Sequence, residues 1–132
     1  MVNGFRSTEV AAQYEAYLRK NHDDKKCVFC DVEKSTRQIL HSYKYFLCIA
    51  NDFPYSNWDD GQVIKHHLLI PKRHVTYLDQ LHHHEQEEYI SIIATREREG
   101  YNTYTRTNIS HYRSVSHYHT HLLMVDHSKI ST

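Results

Sequence analysis

The stretch Ser114–Val125, SVSHYHTHLLMV, sets His117, His119 and His121 at every second position and then runs on as apolar residues. In an extended strand, alternate side chains share one face, with like-facing neighbours roughly 7 Å apart. The pattern therefore predicts a strand over residues 116–125, with the three imidazoles on one side and Tyr118, Thr120 and Leu122 on the other. A single such histidine reads as a tolerated edge residue. Three in register read as ligands or catalysts.

Shorter signals place the other elements. Ser7 and Thr8 precede Val10, Tyr14, Tyr17 and Leu18 at helical spacing, which predicts an N-capped amphipathic helix over residues 9–20. Residues 21–26 form a charged loop, and the runs 38–41 and 45–50 form a hairpin. Residues 51–61, NDFPYSNWDDG, are dense in turn formers and are expected to be a loop, and the stretch from Trp58 to Lys65 extends it. A strand over 67–70 stops at Pro71. From Leu81, Glu85, Glu87 and Glu88 lead a helix of about 16 residues, acidic at its positive end and closed by Gly100. A strand near 102–107 comes before the histidine strand. Short turns in place of regular βαβ crossovers favour an α+β domain with a mostly antiparallel sheet of about five strands, one long helix and an extra N-terminal helix.

Composition narrows the function. The 132 residues suit one domain, and 16 Lys and Arg balance 16 Asp and Glu. A dedicated nucleic-acid binder needs a basic surplus, so any anion bound here is small and held locally. Three cysteines are too few and odd in number for a disulfide framework, which points to a reducing cytoplasm. The opening MVNGFRSTEV lacks a signal-peptide pattern and no segment has the length of a membrane span, so a soluble protein without membrane partners is expected. With three Gly there is no Gly-rich phosphate loop. The run His82–His84 sits where a helix dipole disfavours protonation and reads as solvated. Among the tyrosines, Tyr55 alone is placed near a site.

Cys27 and Cys30 have the spacing from which one turn offers two thiolates to a metal. A redox pair is the rival reading, but the following sequence lacks the βαβ pattern that such a motif accompanies.

The segment His117-Tyr-His-Thr-His-Leu-Leu123 resembles the signature of the histidine triad superfamily, in which three histidines alternate with apolar residues and two apolar residues follow. His66-His-Leu-Leu-Ile-Pro-Lys-Arg-His74 resembles a second signature of that family, Cys27-Val-Phe-Cys30 resembles the cysteine pair of its zinc-containing members, and Asn51-Asp-Phe-Pro-Tyr55 resembles its nucleoside-side loop. These pieces fall in family order over residues 27–125, which implies a histidine triad domain over 27–132 behind an N-terminal helical extension, 1–26.

The resemblance implies a nucleotide hydrolase acting on a nucleoside phosphoramidate or a dinucleoside polyphosphate. His119 would attack the α-phosphorus and form a covalent nucleotidyl-histidine. His121 would stabilise the phosphate oxygens, Ser114 would lie near the bridging oxygen, and His66 would orient its neighbours. A third histidine, where the transferase branch has Gln, favours hydrolysis. Cys27, Cys30, His74 and His117 would hold a structural zinc. Many family hydrolases have Gly-Gln-Ser before the triad, whereas this chain has Tyr112-Arg113-Ser114. Arg113 and Arg106 are the candidates for phosphate, with Asn51 on the nucleoside side. The family commonly pairs two sheets, which implies a homodimer. A nucleotide-binding or interaction module without catalysis, and a zinc-bound structural protein, are the alternatives.

Overall fold

The computed structural model describes residues 5–20, 27–34, 38–110, 113 and 115–128. Helix α1 spans Thr8–Lys20, with Ser7 Oγ accepting the Val10 N–H at 3.2 Å, so the predicted cap is in place. Strands β1 (Ile39–Ser42) and β2 (Phe46–Ala50) form the predicted antiparallel hairpin.

Residues 51–65 depart from expectation. Asn57–Trp58 is a short strand, β3, and β4 runs through Gly61–Pro71, much longer than the expected 67–70. Asp59 and Asp60, at φ of 53° and 59°, make the turn between them. Two left-handed residues match the twist of a tight hairpin, and acidic side chains there disguise it as a loop. Gly61 follows because a Cβ at that position would collide with Val125. The apparent long loop is therefore a hairpin.

Helix α2 spans His83–Arg98, 16 residues as predicted. Its first turn is held by Glu85, whose Oε1 accepts the His82 N–H at 2.6 Å and pairs with Arg73 Nη2 at 2.7 Å. The hydrogen bond from Arg73 holds this buried carboxyl below its ordinary pKa. Strand β5 covers Asn102–Tyr104, and β6 covers Thr120–Asp126. The sheet order is β1-β2-β4-β6-β5, all antiparallel, with β3 paired to β4. Five strands on one path, a sixth beside it and two helices make the α+β class expected.

Alternation along the strands sorts the core onto two faces. Phe46, Cys48, Leu69 and Leu122 pack with Ile92 of α2 and with Val75, Leu81 and Tyr118. Leu47, Ile49, Leu68 and Ile70 point the other way and pack with Phe29 and Val32. The second face carries the histidines, because β6 pairs Leu68 with His121. Among the described residues no helix is long and apolar enough to cross a membrane.

Candidate active site and metal centre

Only His121 of the three alternating histidines lies within a paired strand. Regular pairing begins at Thr120, so the expected strand over 116–125 starts four residues late, and His117 and His119 belong to the segment leading into it. That segment is held by side chains and loop contacts in place of a sheet ladder. Tyr118 N–H donates to Val75 O at 2.7 Å, and Thr105 Oγ1 donates to His119 O at 2.5 Å. Alternation survives, with Tyr118 in the core under α2 and His119 on the opposite face.

The hydrogen bonds set the tautomers. His119 Nδ1 lies 2.8 Å from His117 O, and a carbonyl only accepts, so Nδ1 carries the proton and Nε2 keeps its lone pair. Tyr55 N–H donates to His66 Nδ1 at 3.0 Å, so His66 is protonated on Nε2. That nitrogen is 2.9 Å from His121 Nδ1, which must accept, leaving His121 with an Nε2–H to donate. Asn51 stands beside His66, its Oδ1 accepting from Phe53 N–H at 2.8 Å. One backbone amide thus orients two imidazoles in series.

Burial keeps these rings neutral. His119 is held at about 4 and His66 at about 3, with desolvation the main cause, and His121 is also well below its ordinary value through burial and the neighbouring His119 and His66. Aromatic rings hold His121 in place. Tyr104, directly opposite on β5, stacks on it at 4.5 Å between centroids and 10° between planes, and Tyr55 stacks on it at 5.6 Å. The two tyrosine hydroxyls meet at 2.5 Å. Phe29 presents its edge to His119 at 5.3 Å.

His119 and His121 open into a cavity that Asn51 and Arg106 also line, with Phe29, Phe53 and Leu68 as apolar wall. Arg113 has a different position. Its guanidinium donates to the carbonyls of Val115, Arg106, Thr76 and Ser116 at 2.7–3.3 Å, so it laces the approach to β6 together. Arg113 is absent from the cavity lining, whereas Arg106 belongs to it. Ser114 lies outside the described residues.

Cys27, Cys30, His74 and His117 form a second cluster. Their ligand atoms all lie within 4.8 Å of one another, close enough to hold a metal ion. His117 Nε2 donates to Pro71 O at 2.7 Å, which turns a bare Nδ1 toward both sulfurs, each 3.5 Å away. His74 Nδ1 is 3.2 Å from Cys30 Sγ. Tetrahedral zinc with two sulfur and two nitrogen ligands needs ligand–ligand edges of about 3.3–3.8 Å, so the donor types, the His117 tautomer and the three sulfur–nitrogen separations of 3.2–3.5 Å suit such a metal.

Sequence reasoning missed Tyr104 and Arg6. Tyr104 stands two residues before Arg106, an alternation that could have placed both beside the triad. Arg6 left no such signal.

No protein-family model matches the chain. No curated protein matches it significantly either. Solved structures do. A HIT family hydrolase from Clostridium thermocellum aligns with a TM-score of 0.61 at 20% identity, over 83% of this chain and 98% of its own. A HIT family hydrolase from Legionella pneumophila gives 0.55 at 22% identity, over 74% and 91%. A histidine triad nucleotide-binding protein from Candida albicans gives 0.61 at 20% identity, over 81% and 80%. The chain has the histidine triad fold, as its motifs predict.

Proposed function

We propose that this protein is a histidine triad nucleotide hydrolase that acts through His119. The observation that carries the reading is His119 Nδ1 bonded to His117 O, which leaves a neutral Nε2 lone pair in a cavity shared with His121 and Arg106. Such a nitrogen is a nucleophile at neutral pH. Nε2 attacks the α-phosphorus of a nucleoside phosphoramidate or dinucleoside polyphosphate, the P–N bond to His119 forms, and the bond to the leaving group breaks with its electron pair. The leaving group takes a proton from solvent, and the attacking water returns one to solvent in the second step. His121 Nε2–H donates to a non-bridging oxygen as charge builds there, and His66 keeps His121 in the tautomer that donates. Water then attacks the same phosphorus, releasing a nucleoside monophosphate and restoring the His119 lone pair.

Asn51 holds the nucleoside side, and Arg106 is the phosphate-facing guanidinium in preference to Arg113. Ser114 is assigned to the bridging oxygen on the resemblance alone. Cys27, Cys30, His74 and His117 hold a zinc ion that ties the first turn of the domain 27–132 to the approach to β6, a structural role. The same reading takes the protein as a cytoplasmic homodimer.

The test is transfer of label from an adenosine phosphoramidate and from a dinucleoside polyphosphate carrying labelled α-phosphate. Acid-labile label on His119, together with release of nucleoside monophosphate, is the expected result. Nucleotide binding with neither label nor turnover on either donor would replace this reading with a non-catalytic nucleotide-binding module.

A further inference from the structure

The segment before α1 adds to the cavity a residue for which no role has yet been given. Arg6 lines the same cavity as His119, His121 and Arg106. Phe5 is anchored to the 53–57 segment, since its carbonyl accepts from Ser56 N–H at 2.6 Å and its ring stacks on Tyr55 at 5.1 Å. Arg6 Nε–H donates to Phe53 O at 2.6 Å. Its guanidinium carbon lies 4.3 Å from the Tyr14 ring centroid and 4.9 Å from that of Tyr55, so two aromatic rings fix it. Tyr14 and Tyr17 of α1 each contact Phe53 at 5.0 Å, which ties the helix to the same rim.

No carboxylate among the described residues pairs with Arg6. Among the described residues its two terminal amino groups have no hydrogen-bond acceptor, and none of the described residues lining the cavity is acidic. The guanidinium is desolvated enough that burial lowers its pKa, and its charge reaches His66 and His121. Holding a second guanidinium in a cavity that already contains Arg106 costs repulsion as well as desolvation. An anion restores the balance. Arg6 sits against the Phe53 carbonyl and the Tyr14 and Tyr55 rings, whereas Arg106 sits against the Phe5 and Tyr104 rings at 5.9 and 5.6 Å. The two guanidinium groups therefore have separate seats in one cavity.

We infer that Arg6 is a specificity-determining residue that binds a second phosphate on the nucleotide, beyond the one held at His119 and His121. The inference rests on the nucleotide reading above. A guanidinium fork suits a terminal phosphate, which offers paired oxygens, better than a sugar hydroxyl. The second phosphate lies either on the 5′ chain or on the ribose, and both share this chemistry. The N-terminal extension thereby becomes part of the site.

The experiment is titration of the full chain, in the His119→Asn background to stop turnover, with AMP, ADP and adenosine 3′,5′-bisphosphate. Binding of one doubly phosphorylated ligand about tenfold tighter than AMP is expected, and R6Q should reduce that preference to about twofold while leaving AMP affinity within about threefold. R6K, which keeps the charge without the fork, should retain an intermediate preference, and thermal melts of both variants report folding. Which ligand gains identifies the position of the second phosphate. Equal affinity of the wild-type site for all three, or a preference unchanged in R6Q, overturns the inference and leaves the nucleotide reading standing. If AMP and both doubly phosphorylated ligands fail to bind, the nucleotide reading itself falls.

Discussion

His117 and His119 are joined by a single hydrogen bond, from His119 Nδ1 to the His117 carbonyl at 2.8 Å, while the His117 ring faces two cysteine sulfurs at 3.5 Å. One residue therefore contributes its side chain to the candidate metal cluster and its backbone to the proposed nucleophile. Anything that moves His117 changes the direction of the His119 lone pair.

Replacing the nucleophile should separate chemistry from binding. His119→Asn is expected to lower kcat/KM by on the order of 10³-fold or more, because it removes the Nε2 lone pair that makes the proposed attack. Affinity for nucleoside monophosphate should change little. Steady-state kinetics beside calorimetric titration checks both. Retained turnover in this variant would remove His119 from the mechanism.

Metal removal should act first on stability. Cys27→Ser leaves the cluster with three ligands, so metal content measured by atomic emission should fall well below one zinc per chain and the melting temperature should drop by roughly 5 °C or more. Wild-type protein stripped by a chelator should match the variant, and added zinc should restore only the wild type.

Acid should weaken the fold through His66. Its pKa is about 3 in the folded protein against 6.5 for an unburied histidine, so between those values the unfolded chain binds a proton that the folded chain refuses. Stability is therefore full above about pH 6.5 and falls as the pH drops through the window, with a slope of up to about 1.4 kcal/mol per pH unit from this ring. Urea midpoints from pH 7.5 to 4.5 measure it. His66→Gln leaves the candidate metal cluster intact and should make the profile shallower by this ring's share, the other buried histidines supplying the remaining slope, and an equally steep profile in the variant would assign the effect elsewhere.

Arg113 should matter for stability more than for binding. Its guanidinium holds four carbonyls around the approach to β6, and hydrogen bonds from a charged donor contribute about 1.5–3 kcal/mol. Arg113→Ala is expected to cost about 1–3 kcal/mol in urea unfolding, with nucleotide affinity changed less than by Arg106→Ala. The reverse ranking in a binding assay would return Arg113 to the phosphate.

The helices and hairpin were legible because their signals are local. Ser7 caps α1, Glu85 holds the first turn of α2, and the runs 39–42 and 46–50 are short β-prone stretches separated by a turn. The Asp59–Asp60 turn was hidden because left-handed φ at two acidic residues leaves no composition mark. The start of β6 was misplaced for a related reason. The alternation in sequence starts at His117, but pairing with β4 begins only at Thr120 and with β5 at His121.

The sequence by itself determined the α+β class, the alternating histidines and the Cys27–Cys30 pair, because these are read from local patterns, while His74 and His117 as partners of that pair were implied by the family resemblance. Tertiary structure alone decided what those groups do. His66 and His121 meet at 2.9 Å only because β4 and β6 lie side by side, and Cys27 meets His117 only across ninety positions of chain. Arg113 and Arg106 looked alike in sequence until packing turned one toward backbone carbonyls and the other toward the cavity. Tautomers, desolvation and charge balance arise from neighbours distant in sequence, and for Arg6 those neighbours are Phe53, Tyr55 and Tyr14.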